Sequence, residues 1–520
     1  MPSLTDIVKA LLNTEAYPEK PTQISLVQTQ MSFVFIAGDF VYKIKKPVDL
    51  GFLDYTTLEK RHYLCQKEVE LNRRLCPETY LGVVPITSIN NTITVDGEGE
   101  IIEYAVKMKR LPQDLMMNIL LEKNLINPKM ISRLATKLSE FHARAGTSHE
   151  IRHFGTPEAI KFNTDENFSQ TEKYISLTLS PRQFEAIKNY TDRFFTENRN
   201  IFEKRIFDDK IRDCHGDLHA AHVCFTNGIC IYDCIEFNDR FRYCDVTSEI
   251  AFLAMDLDHY GRADLSRLFV EQYIQQSKDL ELINLLNFYK CYRAYVRGKV
   301  ESFKLDDPFI PEEDKVRIKS VASGYFDLAE SYTWMKPLLL ITTGLVGSGK
   351  STISGELARR IGLVILSSDI IRKQIAGITP TERRFENFND GIYSAEFTRL
   401  TYDTLFREAG KFLSRGISVI LDASFISKQE RLKAENLARE CGANYFIVEC
   451  RLREEIIKER LASRLKLGGV SDGRWEIYLP QKTRFEPVDE VDNQQHIIVD
   501  TSFPVDQYID EVVEKIARSI

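Results

Sequence analysis

The sequence predicts two fold classes in one chain. An α+β half with a small and a large lobe runs to about residue 335, and an α/β domain with a helix-flanked parallel sheet occupies residues 336–520. Three observations carry this. At 520 residues the chain exceeds one ordinary core. Two β-rich runs near the start, Ser32–Ala37 and Phe40–Lys45, are separated only by Gly38-Asp39, a hairpin signal. After Lys336-Pro337 the pattern changes to strictly alternating strand and helix segments, which implies crossover connections and a parallel sheet.

In the first block, about residues 24–110, the hairpin is followed by helical spacing over 57–75, where Leu58, Tyr63 or Leu64, Leu71 and Leu75 share a face. Residues 83–89 and 101–107 read as further strands, with Asp96-Gly97 as a turn. Beyond Leu111-Pro112 the texture is helical, over 131–145, 181–198, 264–276, 280–299 and 312–335. A β island at about 211–240 interrupts it. In the last third the expected order is strand 338–343, helix from Lys350, strand 363–367, helix after Asp369, strand 418–422, helix from Lys428, strand 445–450 and a terminal helix from Val505.

Composition narrows the class. A formal net charge of -7 lacks the basic surplus of a dedicated nucleic-acid binder. The N-terminus has no basic start followed by an apolar run, and the most apolar stretch, 337–346, is too short to span a bilayer, so no membrane association and a cytoplasmic location are expected. In that compartment the ten cysteines are expected to be mostly reduced thiols. Five of them, Cys214, Cys224, Cys230, Cys234 and Cys244, fall in apolar strand-like runs without CxxC pairing, which reads as buried small side chains rather than a zinc site.

The strongest chemical signal is Gly344-Leu-Val-Gly-Ser-Gly-Lys-Ser351, placed between an apolar strand and a helical run. Gly344, Gly347 and Gly349 let the backbone wrap a polyphosphate so that amides of the loop, Ser348 and Thr352 among its residues, point inward. The helix that follows adds its positive end. Lys350 reaches the β/γ-phosphates and the Ser351 hydroxyl holds Mg²⁺, so ATP and Mg²⁺ are the expected cofactors. Asp369, after the next strand, is positioned to take a proton from an acceptor hydroxyl, with Arg372 one turn on to hold the acceptor or a phosphate. Asp422 closes another strand, where it supports Mg²⁺ through water, caps a helix or orients substrate. Arg451, Arg453, Arg460 and Arg464 precede a glycine-rich segment at 468–473, which suits a lid over the transferring phosphate.

Together GLVGSGKST, SSDIIRK, VILDASF and RLASRLK…SDG resemble the P-loop kinase group that includes gluconate kinase, polynucleotide kinase and chloramphenicol phosphotransferase, over about 338–519. The resemblance implies ATP/Mg²⁺-dependent phosphorylation of a hydroxyl. Asp369 would be the base, Lys350 would sit on the phosphates, and Arg460 or Arg464 would close over them.

The first half carries Asp213-Cys-His-Gly-Asp-Leu-His-Ala-Ala-His222 and, on a second strand, Ile229-Cys-Ile-Tyr-Asp-Cys-Ile-Glu-Phe237. Acidic clusters on paired strands suit a base with metal ligands. The segment resembles the aminoglycoside phosphotransferase and choline kinase-like group, whose loop reads H-G-D-L-H-x-x-N, and this implies a two-lobed protein-kinase-like fold over 1–335. Carried over by position, Asp217 is the base and Asp233 the metal-binding acid, with Glu236 a rival. Lys43 rather than Lys45 contacts phosphate, paired with Glu68. The family's metal-binding asparagine is His222 here, a poorer partner for Mg²⁺ than an oxygen. No glycine-rich loop precedes Lys43, so 28–32 must serve. His142 and Glu140 read as surface or supporting groups.

The expected function is therefore phosphorylation of a small hydroxylated molecule, with a second phosphotransferase site in the first half. Two alternatives stand beside it: a kinase for nucleic-acid ends or a charged RNA, and a catalytically silent N-terminal half that binds a ligand or protein and regulates the other. No motif sets an oligomeric state.

Overall fold

The computed structural model describes residues 3–226, 228–307, 310–379, 382, 391–467 and 473–520, with 464–467 described as backbone only. The chain forms two compact units. One comprises Met1–Asp165, Phe194–Asp256 and Arg267–Tyr289; the other comprises Glu166–Arg193, Leu257–Ser266 and Lys290–Ile520.

The first unit is built on an antiparallel sheet in the order β1-β2-β3-β6-β4-β5. Its strands are β1 (Ile24–Gln28), β2 (Ser32–Ala37), β3 (Phe40–Lys45), β4 (Tyr80–Ile89), β5 (Thr92–Val95) and β6 (Glu100–Lys109). The β2–β3 register, Ala37 opposite Phe40 and Val34 opposite Lys43, confirms the hairpin at Gly38-Asp39. Gly38 takes φ +64, a conformation open to glycine at little cost. Alternation along β2 and β3 buries Phe33, Phe35, Tyr42 and Ile44 in one cluster with Ile7 and Leu11 of an N-terminal helix. The same period puts Lys43 and Lys45 together on the opposite face. That face meets the helix Leu58–Arg73, which Thr57 caps by accepting from the Lys60 amide.

Two short ribbons carry the polar loop of this unit: β7 (Ile211–Asp213) with β10 (Tyr243–Asp245), and β8 (Val223–Cys224) with β9 (Cys230–Ile231). The thiol expectation needs one correction here. Cys230 is joined to Cys76, just past the Leu58–Arg73 helix, because the helix end and β9 bring their Cα atoms to 4.7 Å, within disulfide reach. Cys214, Cys224 and Cys234 are buried free thiols and Cys244 a half-buried one.

The second unit holds the parallel sheet β12-β13-β11-β14-β15. Its members are β11 (Leu338–Thr343), β12 (Val364–Ser367), β13 (Val419–Asp422), β14 (Asn444–Arg451) and β15 (His496–Asp500). Every residue of β11 is buried. Leu339 and Ile341 pack into one cluster with Leu405, Ala409 and Ala434, and Leu338 and Leu340 into another with Ile353, Leu357 and Ile516. A central strand covered on both faces therefore reads as an unbroken apolar run. Strand β15 and the helix Ala395–Leu413 lie outside the predicted pattern. This unit also includes helix Glu312–Ser331, whose Asp327 pairs at 2.6 Å with Arg360 of helix Lys350–Ile361. Among the described residues, no helix is long and apolar enough to cross a membrane.

Candidate functional site

In the second unit the loop after β11 is shaped by its glycines. Gly344, Gly347 and Gly349 take φ of +136, +79 and +93. A Cβ on Gly344 would stand 2.6 Å from the Cys450 carbonyl oxygen, and one on Gly349 would press on Thr501 at 3.2 Å. Gly349 caps the helix Lys350–Ile361, so the helix begins directly at the loop. The Ser348 hydroxyl is buried with no hydrogen-bond partner among the described residues. Lys350 folds over the loop, Nζ donating to the Gly344 carbonyl at 3.0 Å and that of Leu345 at 2.8 Å. An orphaned hydroxyl, a lysine held by main-chain carbonyls and a floor that admits no side chain fit a polyphosphate. One loop amide, that of Val346, already donates to Gln481 Oε1 at 2.9 Å, from the helix Trp475–Arg484.

Two acidic residues lie beside this loop. Asp422 ends β13, and burial raises its pKa against the hydrogen bond from Ser351 and the charge of Lys350, while neighbouring Asp369 adds to the rise. Lys350, Ser351, Asp369 and Asp422 thus share one site. Asp369 stands in the first turn of helix Ser368–Ile375, directly after β12. Arg372 of that helix is buried and donates to the Ile392 carbonyl at 2.6 Å, so its guanidinium is engaged in packing. Thr352 is exposed beside Ser351. Arg460 donates to the Thr501 carbonyl at 2.7 Å, and Arg451 pairs with Glu449. The side chain of Arg464 and residues 468–472 lie outside the described residues.

In the first unit Glu68 is fully buried between two lysines, 2.9 Å from Lys43 and 2.6 Å from Lys45. Burial works against every charge here, but the mutual attraction is larger. It raises both lysines well above their ordinary range, with Asp233 and Glu68 acting on Lys43 and Glu236 and Glu68 on Lys45, and it lowers Glu68. Lys45 also bonds Glu236, which accepts from the Tyr55 hydroxyl at 2.7 Å. Lys43 reaches Asp233 Oδ1 at 2.6 Å. Glu236 therefore belongs to the buried Lys45, and Asp233 to the more open Lys43. Asp233 has φ +63, a conformation that costs a non-glycine residue about 1–3 kcal/mol and clusters at functional positions.

The loop at 213–222 is anchored by a residue that sequence reasoning missed. Glu249 Oε1 accepts from the His215 amide at 2.6 Å and from that of Gly216 at 2.8 Å. Its other oxygen meets His142 Nε2 at 2.7 Å, and His142 Nδ1 meets the Tyr273 hydroxyl at 2.8 Å. His142 is buried support for the loop, while Glu140 is exposed. Asp256 adds a second anchor, accepting from the Ala220 amide at 2.8 Å. No motif marked either acid, since both lie in the largely apolar helix Val246–His259.

At the loop's tip His222 Nδ1 is 2.9 Å from the Asp217 carbonyl oxygen, which only accepts, so Nδ1 carries the proton. Asp217 Oδ2 is 3.6 Å from His222 Nδ1 and 3.7 Å from His219 Nε2. Burial, reinforced by the neighbouring His219, pushes the His222 pKa down to about 4. Gly216, at φ +89, has Phe241 O 2.9 Å and Arg242 Cα 3.2 Å from where a Cβ would be. Replacing it with alanine is expected to cost about 2 kcal/mol or more, read as a lower midpoint of thermal unfolding.

Comparison with known proteins gives similarities for both halves of the chain. The sequence model of the AAA domain family matches residues 339–488, which hold the glycine loop, Asp369 and Asp422. The gluconokinase of Sinorhizobium meliloti is similar over 35% of this chain and 93% of its own, at 20% identity and TM-score 0.25. A choline/ethanolamine kinase family protein of Mesorhizobium loti is similar over 63% of this chain and 94% of its own, at 11% identity and TM-score 0.39. Uncharacterized protein Mb2027c of Mycobacterium bovis and uncharacterized protein Rv2004c of Mycobacterium tuberculosis are each 30% identical over 457 residues, 87% of this chain and 88% of theirs. At 30% identity along nearly the whole of both mycobacterial chains, this chain belongs to the family of Mb2027c and Rv2004c.

Proposed function

We propose that this chain is an ATP-dependent phosphotransferase acting on a hydroxyl of a small molecule, with residues 336–520 as its catalytic part and 1–335 as a second, kinase-like part. The observation that carries the reading is the convergence of Lys350, Ser351, Asp369 and Asp422 on a glycine loop whose buried Ser348 hydroxyl has no partner among the described residues. The loop amides and the helix start bind the phosphate chain, and Lys350 exchanges its carbonyl partners for phosphate oxygens. Mg²⁺, when bound with nucleotide, neutralises charge on the transferring group, and Ser351 and Asp422 are the residues to hold it. Asp369 accepts the proton of the acceptor hydroxyl, and Arg460 is the described arginine available to close over the site.

For the first half, the placement of Asp217, Asp233 and Lys43 supports a second phosphotransferase site. One observation favours a binding and regulatory role instead: an imidazole faces Asp233 where an oxygen ligand would serve Mg²⁺. The deciding experiment incubates the full-length protein with ATP and a metabolite extract and follows phosphoryl mass gain. Asp369→Asn is expected to lower turnover about a hundredfold or more with ATP binding retained, whereas Asp217→Asn leaves the P-loop reaction intact. Absence of any ATP turnover by the wild-type protein would sink the proposal.

A further inference from the structure

The first half departs from a magnesium site in a specific way. His222 Nδ1 donates its N–H to the Asp217 carbonyl, so Nε2 is the nitrogen left to bind something else. That nitrogen stands 3.6 Å from Asp233 Oδ2. The pair is too far apart for a hydrogen bond. It is about as far apart as two ligand atoms sharing one ion at roughly 2 Å each. Asp233 is already held in place for such a role. Lys43 holds Oδ1 at 2.6 Å, the Tyr80 hydroxyl accepts from the Asp233 amide at 3.2 Å, and the backbone is fixed at φ +63. Beside the pair, one ligand atom each from Asp217, His219 and His222 lie within 4.8 Å of one another. His219 is itself buried, its ring 3.9 Å from that of His222.

Mg²⁺ takes oxygen ligands in near-octahedral geometry and keeps much of its water. An imidazole nitrogen and a carboxylate oxygen at a partly buried loop tip, with a second imidazole and a second carboxylate beside them, are the chemistry of a borderline transition ion. We infer that the His222–Asp233 pair, with His219 and Asp217 adjoining, is a binding site for a divalent transition metal of the Zn²⁺ or Co²⁺ class rather than for Mg²⁺. The ion would lie in the same N-terminal site as the proposed second phosphotransferase, and the inference rests on that reading for what the metal serves but not for its binding.

Co²⁺ is the probe, because imidazole ligation gives it a visible d–d spectrum. The full-length protein, stripped by chelation and free of nucleotide, is titrated with Co²⁺ by calorimetry and absorbance, then challenged with roughly a hundredfold excess of Mg²⁺. One equivalent of Co²⁺ resistant to the challenge is expected. His222→Asn, which restores an oxygen ligand, is expected to weaken Co²⁺ at least tenfold and to make the remaining ion displaceable by Mg²⁺. Asp233→Asn provides the same loss of affinity without touching an imidazole, and circular dichroism of both variants separates lost ligation from lost fold. Equal Co²⁺ affinity in wild type and in both variants would assign the ion to other histidines among the nine and overturn the inference. Displacement by Mg²⁺ in the wild type would overturn it equally. ATP turnover, measured in parallel, reports on the phosphotransferase reading alone, so either conclusion can fail without the other.

Discussion

Lys350→Ala is expected to lower ATP turnover by about a hundredfold or more, the scale of losing one preorganised charge at a developing phosphate anion. The thermal midpoint should hardly move. Its ammonium donates to the Gly344 and Leu345 carbonyls at 3.0 and 2.8 Å, in a half-buried loop. The side chain is thus held over the loop by main-chain oxygens. Turnover and unfolding measured on one preparation separate the two effects. Undiminished turnover in this variant, with loss only on Asp217→Ala, would move catalysis to the first half.

The second large effect is on stability. Glu249→Ala removes the acceptor for the His215 and Gly216 amides and the partner of His142, all buried. An orphaned buried donor costs about 1–3 kcal/mol, so a loss of about 3 kcal/mol or more is expected in chemical denaturation. Glu249→Gln keeps an oxygen for the two amides and should recover a large part of it. The charge adds a pH signature. Burial raises the Glu249 pKa, but the hydrogen bond and charge of His142 outweigh it and hold the carboxyl at about 2. A folded-state value below the unfolded one means that the unfolded chain takes up the proton first, so this stabilisation is complete above about pH 4.5 and is lost as pH falls towards 2. Glu249→Gln should remove that slope. An unchanged slope in the variant would refute the assignment.

Much of this was legible in the sequence because local pattern carried it. The apolar run of β11 followed by glycines and Lys350 needs no tertiary information, and the two-residue spacing of Lys43 and Lys45 already puts both on one face. The Leu58–Arg73 helix and its Glu68 were readable for the same reason. Glu249 was not, because its partners lie 33, 34 and 107 residues away and its own neighbours are those of a buried helix. The Cys76–Cys230 bond, separated by 154 residues, exists only once helix and ribbon are folded. Strand β15 escaped because it is a short edge strand whose alternation exposes Ile498. The division of labour between Asp233 and Glu236 was equally out of reach: two carboxylates three residues apart differ only in which lysine the fold hands to each.

The hydrogen bond between the Val346 amide and Gln481 has a thermodynamic consequence. A donor that is already satisfied cannot give its full strength to a newcomer, so any anion that recruits this amide gains only the difference between two acceptors. Gripping and releasing become an exchange of partners. An anion that took this amide would thereby couple the helix Trp475–Arg484, which supplies the glutamine, to occupancy of the loop without a hinge being required.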